Sequence, residues 1–197
     1  AGNNGIATVS GGVANAAAGG VSAIGGGASN RAAGDFAVVA GGNTNRANGY
    51  SSAVLGGTAN RAFGVYSSAL SGWDNIAGTV SADTAATVAG GRQNLAMHMH
   101  SFVGGGQGNV ADGQGAVVAG GKYDSAGADY ATVAGGMNNK AESSFSVVAG
   151  GNRNRAVGWF SAVAGGNYND ATGQFSTVGG GNFNEATGQY AVVGGGD

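Results

Sequence analysis

The feature that most constrains this chain is a repeat of 15 residues, marked by the first glycine of successive Gly-Gly pairs. The markers are Gly11, Gly26, Gly41, Gly56, Gly90, Gly105, Gly120, Gly135, Gly150, Gly165, Gly180 and Gly195. Ser71 takes the place of a marker before the one insertion of four residues. Asparagine stands four residues after almost every marker, with Asp124 as the exception, and alanine stands six after. A series of this length in constant phase indicates a tandem array of structural units.

A unit of 15 residues is too short for a pair of helices and fits one coil of a parallel β-roll, or β-solenoid. We therefore predict an all-β chain of about thirteen coils, each with two short strands and two turns. The Gly-Gly pair would give positive φ at one turn, and the glycine eight positions later, such as Gly158, at the other. Residues 1–197 are interpreted as a single repeat domain, with the insertion within 72–89 as a surface turn.

Composition excludes several other classes of protein. Glycine supplies 44 of 197 residues and charged residues only 9%, yet the regular valines and glycines oppose a disordered tract. The absence of proline and of a Gly-X-Y period excludes collagen. A net charge of −2 leaves no basic surface for nucleic acid. No apolar run is long enough to span a membrane, so we expect this segment to make no membrane contact. The chain begins and ends within the repeat, so we expect it to be an excerpt of a longer protein.

Strand periodicity predicts which side chains face inward. In the second strand, asparagine, alanine and glycine share one parity and charged residues such as Arg46 and Arg155 the other, so the small residues should point inward. In the first strand, the inward parity reads small residue then valine, as in Ser161 and Val163. We expect the inward amides to bond the equivalent amides of neighbouring coils, or to satisfy backbone groups of the turn.

The outward parity of the first strand is apolar, which predicts an oligomer interface. We call its seven aromatic residues the aromatic stripe. They are Phe36, Tyr66, Tyr130, Phe145, Phe160, Phe175 and Tyr190. A closed symmetric oligomer would cover the stripe most simply. Another part of the parent chain, or lateral packing in a filament, would also cover it.

The turn after each Gly-Gly pair varies most and predicts a candidate ligand surface, because exposed Tyr, Trp and Arg are good binding residues. We call this surface the turn ridge. Its residues are Trp73, Tyr123, Arg153, Tyr168 and Phe183. The alternative interpretation is that these side chains simply cover the turns.

Two of the units, GGNRNRAVGW at 150–159 and GGNYNDATGQ at 165–174, each continue into Phe-Ser-x-Val. This pattern resembles the head repeats of YadA-type trimeric autotransporter adhesins, and similar repeats occur in trimeric tail-fibre-like proteins. The resemblance extends over essentially the whole chain. It implies a left-handed parallel β-roll associated in threes. It also implies a cell-surface location outside the cell, with an outer-membrane anchor in a region that this chain does not include.

Motifs for chemistry are weak throughout the sequence. Gly121-Lys122 lacks the glycine and hydroxyl residue of a phosphate-binding loop, because Ala116 and Tyr123 occupy those positions. Acidic residues are too sparse for calcium-binding nonapeptides. His98 and His100 could share a face and bind a metal, but we favour a local variation of one turn. Without a catalytic triad or a recurring carboxylate pair, we expect no enzyme activity, no cofactor and no metal.

These observations predict a non-enzymatic trimeric adhesin head that presents a rigid surface to host or neighbouring cells. Its expected partners are further copies of itself and molecules of the host cell surface or extracellular matrix. The alternative is a structural spacer segment of a viral or cellular fibre. A monomeric ice- or sugar-binding solenoid ranks third, because only Thr87, Thr132 and Thr177 approach a regular threonine array.

Overall fold

A computed structural model describes residues 5–197 of the chain. The described residues are all-β, with no helix among them, and form a parallel β-solenoid of about 12 turns of ~15 residues. The predicted class of fold is therefore confirmed, with about one turn fewer than expected. The chain comprises two compact units, the first ending at His100 and the second spanning Ser101–Asp197. Each unit is built from the same kind of coil.

Every strand is 2 residues long. In the first unit the strands are β1 Thr8–Val9, β2 Ala16–Ala17, β3 Ala23–Ile24, β4 Arg31–Ala32, β5 Val38–Val39, β6 Arg46–Ala47, β7 Ala53–Val54, β8 Arg61–Ala62, β9 Ser68–Ala69, β10 Ile76–Ala77, β11 Thr87–Val88 and β12 Leu95–Ala96. In the second unit they are β13 Phe102–Val103, β14 Val110–Ala111, β15 Val117–Val118, β16 Ser125–Ala126, β17 Thr132–Val133, β18 Lys140–Ala141, β19 Val147–Val148, β20 Arg155–Ala156, β21 Ala162–Val163, β22 Asp170–Ala171, β23 Thr177–Val178, β24 Glu185–Ala186 and β25 Val192–Val193.

Within each unit, alternate strands form two parallel sheets, so that every strand pairs with its equivalent in the next coil. The register is one coil per step, as in β6 and β8, where Arg46 faces Arg61 and Ala47 faces Ala62. The turn after the Gly-Gly pair adds a third line of contact, which the repeat pattern did not predict. There, single residues such as Met137 and Asn152 form isolated parallel bridges. Each coil therefore bonds to the next on three sides.

The inward and outward faces agree with the predicted parity. Away from the two ends, the valine and alanine columns are buried: Val54, Val163 and Ala47 are at most 1% exposed, and serines and asparagines of the inner parity, such as Ser161 and Asn45, are buried with them. Arg46 and Arg155 point outward and are exposed. The coil is thin because its interior accepts only side chains no larger than valine, apart from Ile24.

The buried asparagines bind mainly to the backbone. The Asn45 Nδ2 group donates to the Gly41 carbonyl of its own coil and the Gly57 carbonyl of the next, both at 2.9 Å. Its Oδ1 atom accepts the Asn60 backbone N–H at 2.9 Å. Direct amide contacts are longer, as from Asn169 Nδ2 to Asn154 Oδ1 at 3.2 Å. Both predicted roles are present, and the satisfied turn carbonyls explain why asparagine is required beside Gly-Gly.

The glycine prediction is right at one turn and wrong at the other. The second glycine of each pair has positive φ, for example +90° at Gly42. The glycine eight positions after the marker does not have positive φ. Instead it packs so closely that a Cβ on Gly158 would overlap the Gly173 carbonyl oxygen. Glycine is needed at this position because successive coils approach closely there. The residue of this turn with left-handed conformation lies two positions later, as Phe160 does after Gly158.

That left-handed position is where the structure places the aromatic stripe. Phe145, Phe160 and Phe175 have φ of 60°, 54° and 56°, so they belong to the turn and precede the strand. The prediction that they alternate within the first strand is therefore wrong, although their outward direction is right. Large side chains rarely adopt this conformation. Here it is held by a bond to the preceding coil, as from Phe175 N–H to the Trp159 carbonyl at 2.8 Å.

The four-residue insertion is an exposed turn, as predicted, and its residues are 79–82. Asp83 closes it from the inside. Its Oδ2 atom accepts the Thr79 N–H at 2.7 Å, the Thr79 hydroxyl at 2.8 Å and the Val80 N–H at 2.9 Å. Burial acts to raise the pKa of Asp83, but these hydrogen bonds outweigh it and hold the pKa below its ordinary value.

Candidate functional site: the exposed columns of the solenoid

The turn ridge is not one continuous surface. In the second unit, Arg153, Tyr168 and Phe183 occupy equivalent positions in successive coils and form one pile. The Tyr168 and Phe183 rings stack at 4.9 Å between centroids, with an interplanar angle of 11°. The Arg153 guanidinium lies 5.1 Å from the Tyr168 ring centroid. All three residues have positive φ, so their side chains leave the turn from the same backbone conformation in each coil.

A second row of polar side chains runs beside this pile. Asn152 Nδ2 donates to Asn167 Oδ1, and Asn167 Nδ2 donates to Asn182 Oδ1, both at 2.9 Å. The three asparagines carry the isolated bridges of the turn, so their backbones are tied coil to coil. An ordered amide row next to an aromatic and cationic pile combines apolar contact with hydrogen-bonding groups. The sequence places these asparagines in the same variable turn, but the hydrogen bonds between their amides are visible only in the structure.

The other ridge residues lie elsewhere. Tyr123 belongs to the same unit, where Asn138 separates it from Arg153, and its ring lies 5.2 Å from Lys122 Nζ. Trp73 is in the first unit and occupies the bridge position, one residue earlier in the coil than the other ridge residues. Its ring lies 4.4 Å from the Arg92 guanidinium. The structure therefore supports a compact candidate site at Arg153, Tyr168 and Phe183.

The aromatic stripe is exposed in both units. In the second unit its five rings stack nearly parallel, with interplanar angles of 4° to 15° and centroid distances of 4.6 to 5.6 Å. In the first unit Tyr50 lies between Phe36 and Tyr66 and contacts both edge-on. Trp159 packs in the same way against Phe160 and Phe175. Tyr50 and Trp159 extend the stripe and were missed because they stand one residue earlier in the coil.

The outward residues of the second strand form a charged column in each unit. In the first unit three arginines follow one another in register, at Arg31, Arg46 and Arg61. In the second unit the column runs Lys140, Arg155, Asp170 and Glu185. Glu142 lies beside the second column and binds Arg155 at 3.0 Å.

One position in the buried asparagine series breaks the pattern. Asp124 is 1% exposed; its Oδ1 atom accepts the Asn139 N–H at 2.7 Å, while its Oδ2 atom is buried without a hydrogen-bond partner. An asparagine here would donate to the carbonyls of Gly120 and Gly136, as Asn109 donates to Gly105 and Gly121. Burial raises the pKa of Asp124, against the opposing hydrogen bond from Asn139.

The histidine pair gains little support as a metal site. His98 Nδ1 lies 3.5 Å from Asp83 Oδ1. Within residues 5–197, no group of three His, Cys, Asp or Glu side chains is placed to hold a metal ion. Over the same residues, no helix has the length and apolar character needed to cross a bilayer.

Comparison with known proteins adds no assignment. No protein-family model matches the chain, and no curated protein matches it. What can be said of function therefore rests on the geometry of the exposed columns.

Proposed function

We propose that this chain is a non-enzymatic adhesin head, which associates in threes and presents a rigid, repeated surface to host or neighbouring cells. In this proposal it acts outside the cell, attached to an outer membrane through a region beyond this sequence. The observation that carries the proposal is the pile of Arg153, Tyr168 and Phe183 beside the amide row of Asn152, Asn167 and Asn182. These side chains are held in order on a backbone that is bonded coil to coil.

The pile suits a binding surface because its ordering is already complete before a ligand arrives. Aromatic rings in a stacked column lose little conformational freedom on binding, which is the main cost of using large side chains in recognition. Phe183 is 68% exposed, so the outermost ring offers a free apolar surface. Trimerisation would multiply such weak sites, and linked sites gain ~10²–10⁴ in apparent affinity.

The aromatic stripe supports the trimeric part of the proposal. Its exposed rings, together with outward valines such as Val147, form an apolar surface along the second unit. Aromatic side chains bury ~150–250 Å² each when covered, so a few of them suffice to hold subunits together. The threefold symmetry itself comes from the resemblance to trimeric adhesins.

The binding part is tested with the double variant Tyr168→Ser, Phe183→Ser on the complete chain. Beads coated with each protein are applied to cultured epithelial cells and to their isolated extracellular matrix. The variant should keep its β-type circular dichroism and lose at least tenfold in bead attachment. A matched control, Gln174→Ser, changes an exposed side chain away from the pile and should attach as the unchanged protein does.

The assembly part is tested by sedimentation. The unchanged protein should sediment as a trimer, and replacing Phe145, Phe160 and Phe175 with aspartate should dissociate or precipitate it, because three charges would be buried in an apolar interface. A soluble, folded monomer of the unchanged protein would contradict the trimer.

A spacer segment of a fibre is the second candidate. It is favoured by the buried asparagines, whose hydrogen bonds tie successive coils in both units and would give rigidity without any ligand. If the Tyr168→Ser, Phe183→Ser variant attaches to cells as well as the unchanged protein, the spacer function replaces the adhesin.

A further inference from the structure

Three of the four arginines of the first unit, Arg31, Arg46 and Arg61, form an outward row whose charge is mostly uncompensated. Arg31 pairs in register with Arg46, and Arg46 with Arg61, so the three side chains leave the same sheet one strand apart, about 4.8 Å. Arg61 has Asp74 at 3.7 Å. Arg31 and Arg46 are exposed and make no ion pair with any residue that the structure describes.

Like charges in directly opposed strand positions repel one another, so a row of three is unfavourable unless something neutralises it. The second unit shows the contrasting arrangement. There, Arg155 binds Glu142 at 3.0 Å and Asp170 at 3.4 Å, so the equivalent column neutralises itself. No acidic side chain among the described residues does the same for Arg31 and Arg46, which leaves both guanidinium groups available to an acidic partner.

We infer that the row of Arg31, Arg46 and Arg61 binds a linear acidic polysaccharide that lies along the coil direction. This binding site is separate from the turn ridge. It does not depend on the proposed adhesin function, since a spacer could carry it equally well.

Three observations favour this class of ligand. The guanidinium fork matches carboxylate or sulfate groups and holds them by two parallel hydrogen bonds. The row repeats once per coil in parallel register, which suits an extended polymer with acidic groups at short, regular intervals. Ser29, Thr44 and Asn48 are exposed and stand two residues from Arg31 or Arg46 in the sequence, and their hydroxyl and amide groups can bond sugar hydroxyls.

Nucleic acid fits the surroundings less well. Residues 1–100 carry four basic and three acidic side chains, and the whole chain has a net charge of −2, so there is no wide positive field around the row. Such a field supplies most of the non-specific affinity for a phosphate backbone. The row is a narrow line of charge, which suits a narrow polymer.

The test uses the complete chain and four probes in buffer of physiological ionic strength. The probes are oligogalacturonate, which carries carboxylates, heparin, which also carries sulfates, neutral dextran, and single-stranded oligothymidylate of matched charge. Titration calorimetry should detect binding of oligogalacturonate, heparin or both, and none of dextran. Whichever of the two binds identifies the acidic group, and the affinity should fall with added salt.

Arg46→Gln should weaken that binding about tenfold, because each charge-assisted hydrogen bond contributes about that factor. Arg46→Lys should weaken it less, since it keeps the charge and loses the fork. The matched control is Arg155→Gln, which removes an arginine from the equivalent column of the second unit and should leave the affinity unchanged. Circular dichroism checks that all variants remain folded.

Four results would overturn the inference. They are no binding of either acidic polysaccharide, equal losses from Arg46→Gln and Arg155→Gln, binding of oligothymidylate as tight as that of the polysaccharides, and a change of oligomeric state on Arg46→Gln. The last would assign the row to contact between copies of this chain. Cell attachment by the turn ridge, measured on the ridge variant, is unaffected by any of these outcomes.

Discussion

In the first unit, Arg31, Arg46 and Arg61 lie side by side with one acidic neighbour, whereas in the second unit Arg155 lies between Glu142 and Asp170. Residues 1–100 have four basic and three acidic side chains, and residues 101–197 have four basic and seven acidic ones. The buried columns of the two units hardly differ. The outward columns are therefore free to vary because they do not determine the coil, and they are where function can differ between the units.

We expect substitutions in the buried columns to cause the largest losses of folding stability, and these losses should be equal in the two units. Val39→Asp in the first unit and Val148→Asp in the second should each lose about 3–5 kcal/mol, because an unpaired charge enters a dry interior. Their neighbours Val38 and Val147 point outward, so Val38→Asp and Val147→Asp are matched controls for the coil interior: each should leave the coil folded, and Val147→Asp should weaken only the proposed contact between subunits. Thermal unfolding followed by circular dichroism measures all four. A small loss of stability from Val148→Asp beside a large loss from Val39→Asp would show that the interiors of the two units are not equivalent.

The close-packed glycines should give the next largest effect. Gly49→Ala and Gly158→Ala each place a methyl group against the carbonyl oxygen of the next coil. Forced overpacking of this kind costs about 1–3 kcal/mol, or more where the backbone must move.

The control uses two markers where an added methyl group would meet open space, Gly56→Ala and Gly120→Ala, which should change the unfolding temperature little. Equal losses at all four glycines would mean that the local backbone conformation, and not the contact between coils, is the reason for glycine.

Asp124 is the place where the buried asparagine column of the second unit departs from that of the first. Asp124→Asn should stabilise the protein by about 1–3 kcal/mol at neutral pH, because the amide supplies the missing donor to the turn carbonyls. The pKa of Asp124 is raised in the folded state, so the folded state binds the proton more tightly than the unfolded state. Stability from this group is therefore present at low pH and is lost as the pH rises through the folded pKa.

The gain from Asp124→Asn should accordingly shrink in acid, where the carboxyl group can itself donate. The reciprocal control is Asn60→Asp in the first unit, which should create the same defect and the same dependence on pH. Urea unfolding at several pH values measures both variants. A gain that is constant with pH would mean that the orphaned oxygen is not the cause.

The sequence predicts the coil well because its constraints are local and repeated. The phase of asparagine, alanine and valine was enough to predict the buried columns, including Val163 and Asn45. The role of Gly158 was predicted wrongly, because close approach between coils and positive φ both favour glycine and leave the same pattern in the sequence. Only the backbone shows that the left-handed residue is Phe160, two positions later.

The candidate surfaces were predicted less completely. Exposed aromatic residues are visible in the sequence, so Tyr168 and Phe183 were found, but their stacking with Arg153 depends on the exact register of successive coils. The arginine row was recognised only as a water-facing column. Its lack of partners became visible once the positions of Asp74 and the other acidic side chains were known.

The smallest expected effect is the difference in stability between an arginine substitution in the charged column of the first unit and one in that of the second. Arg155→Gln should destabilise the protein by less than about 1 kcal/mol, because its ion pairs are partly exposed and screened by water. Arg46→Gln should leave stability unchanged or raise it by a few tenths of a kcal/mol, since it relieves repulsion between equivalent positions in adjacent strands. At about 1 M salt the Debye length is only about 3 Å, so interactions between surface charges are strongly screened and the difference between the two variants should nearly vanish. Unfolding midpoints in low and high salt measure this, and Glu142→Gln should follow Arg155→Gln because it breaks the same pair. If Arg46→Gln proved the more destabilising variant at low salt, the arginine row would have an internal partner, and the contrast between the two units would be lost.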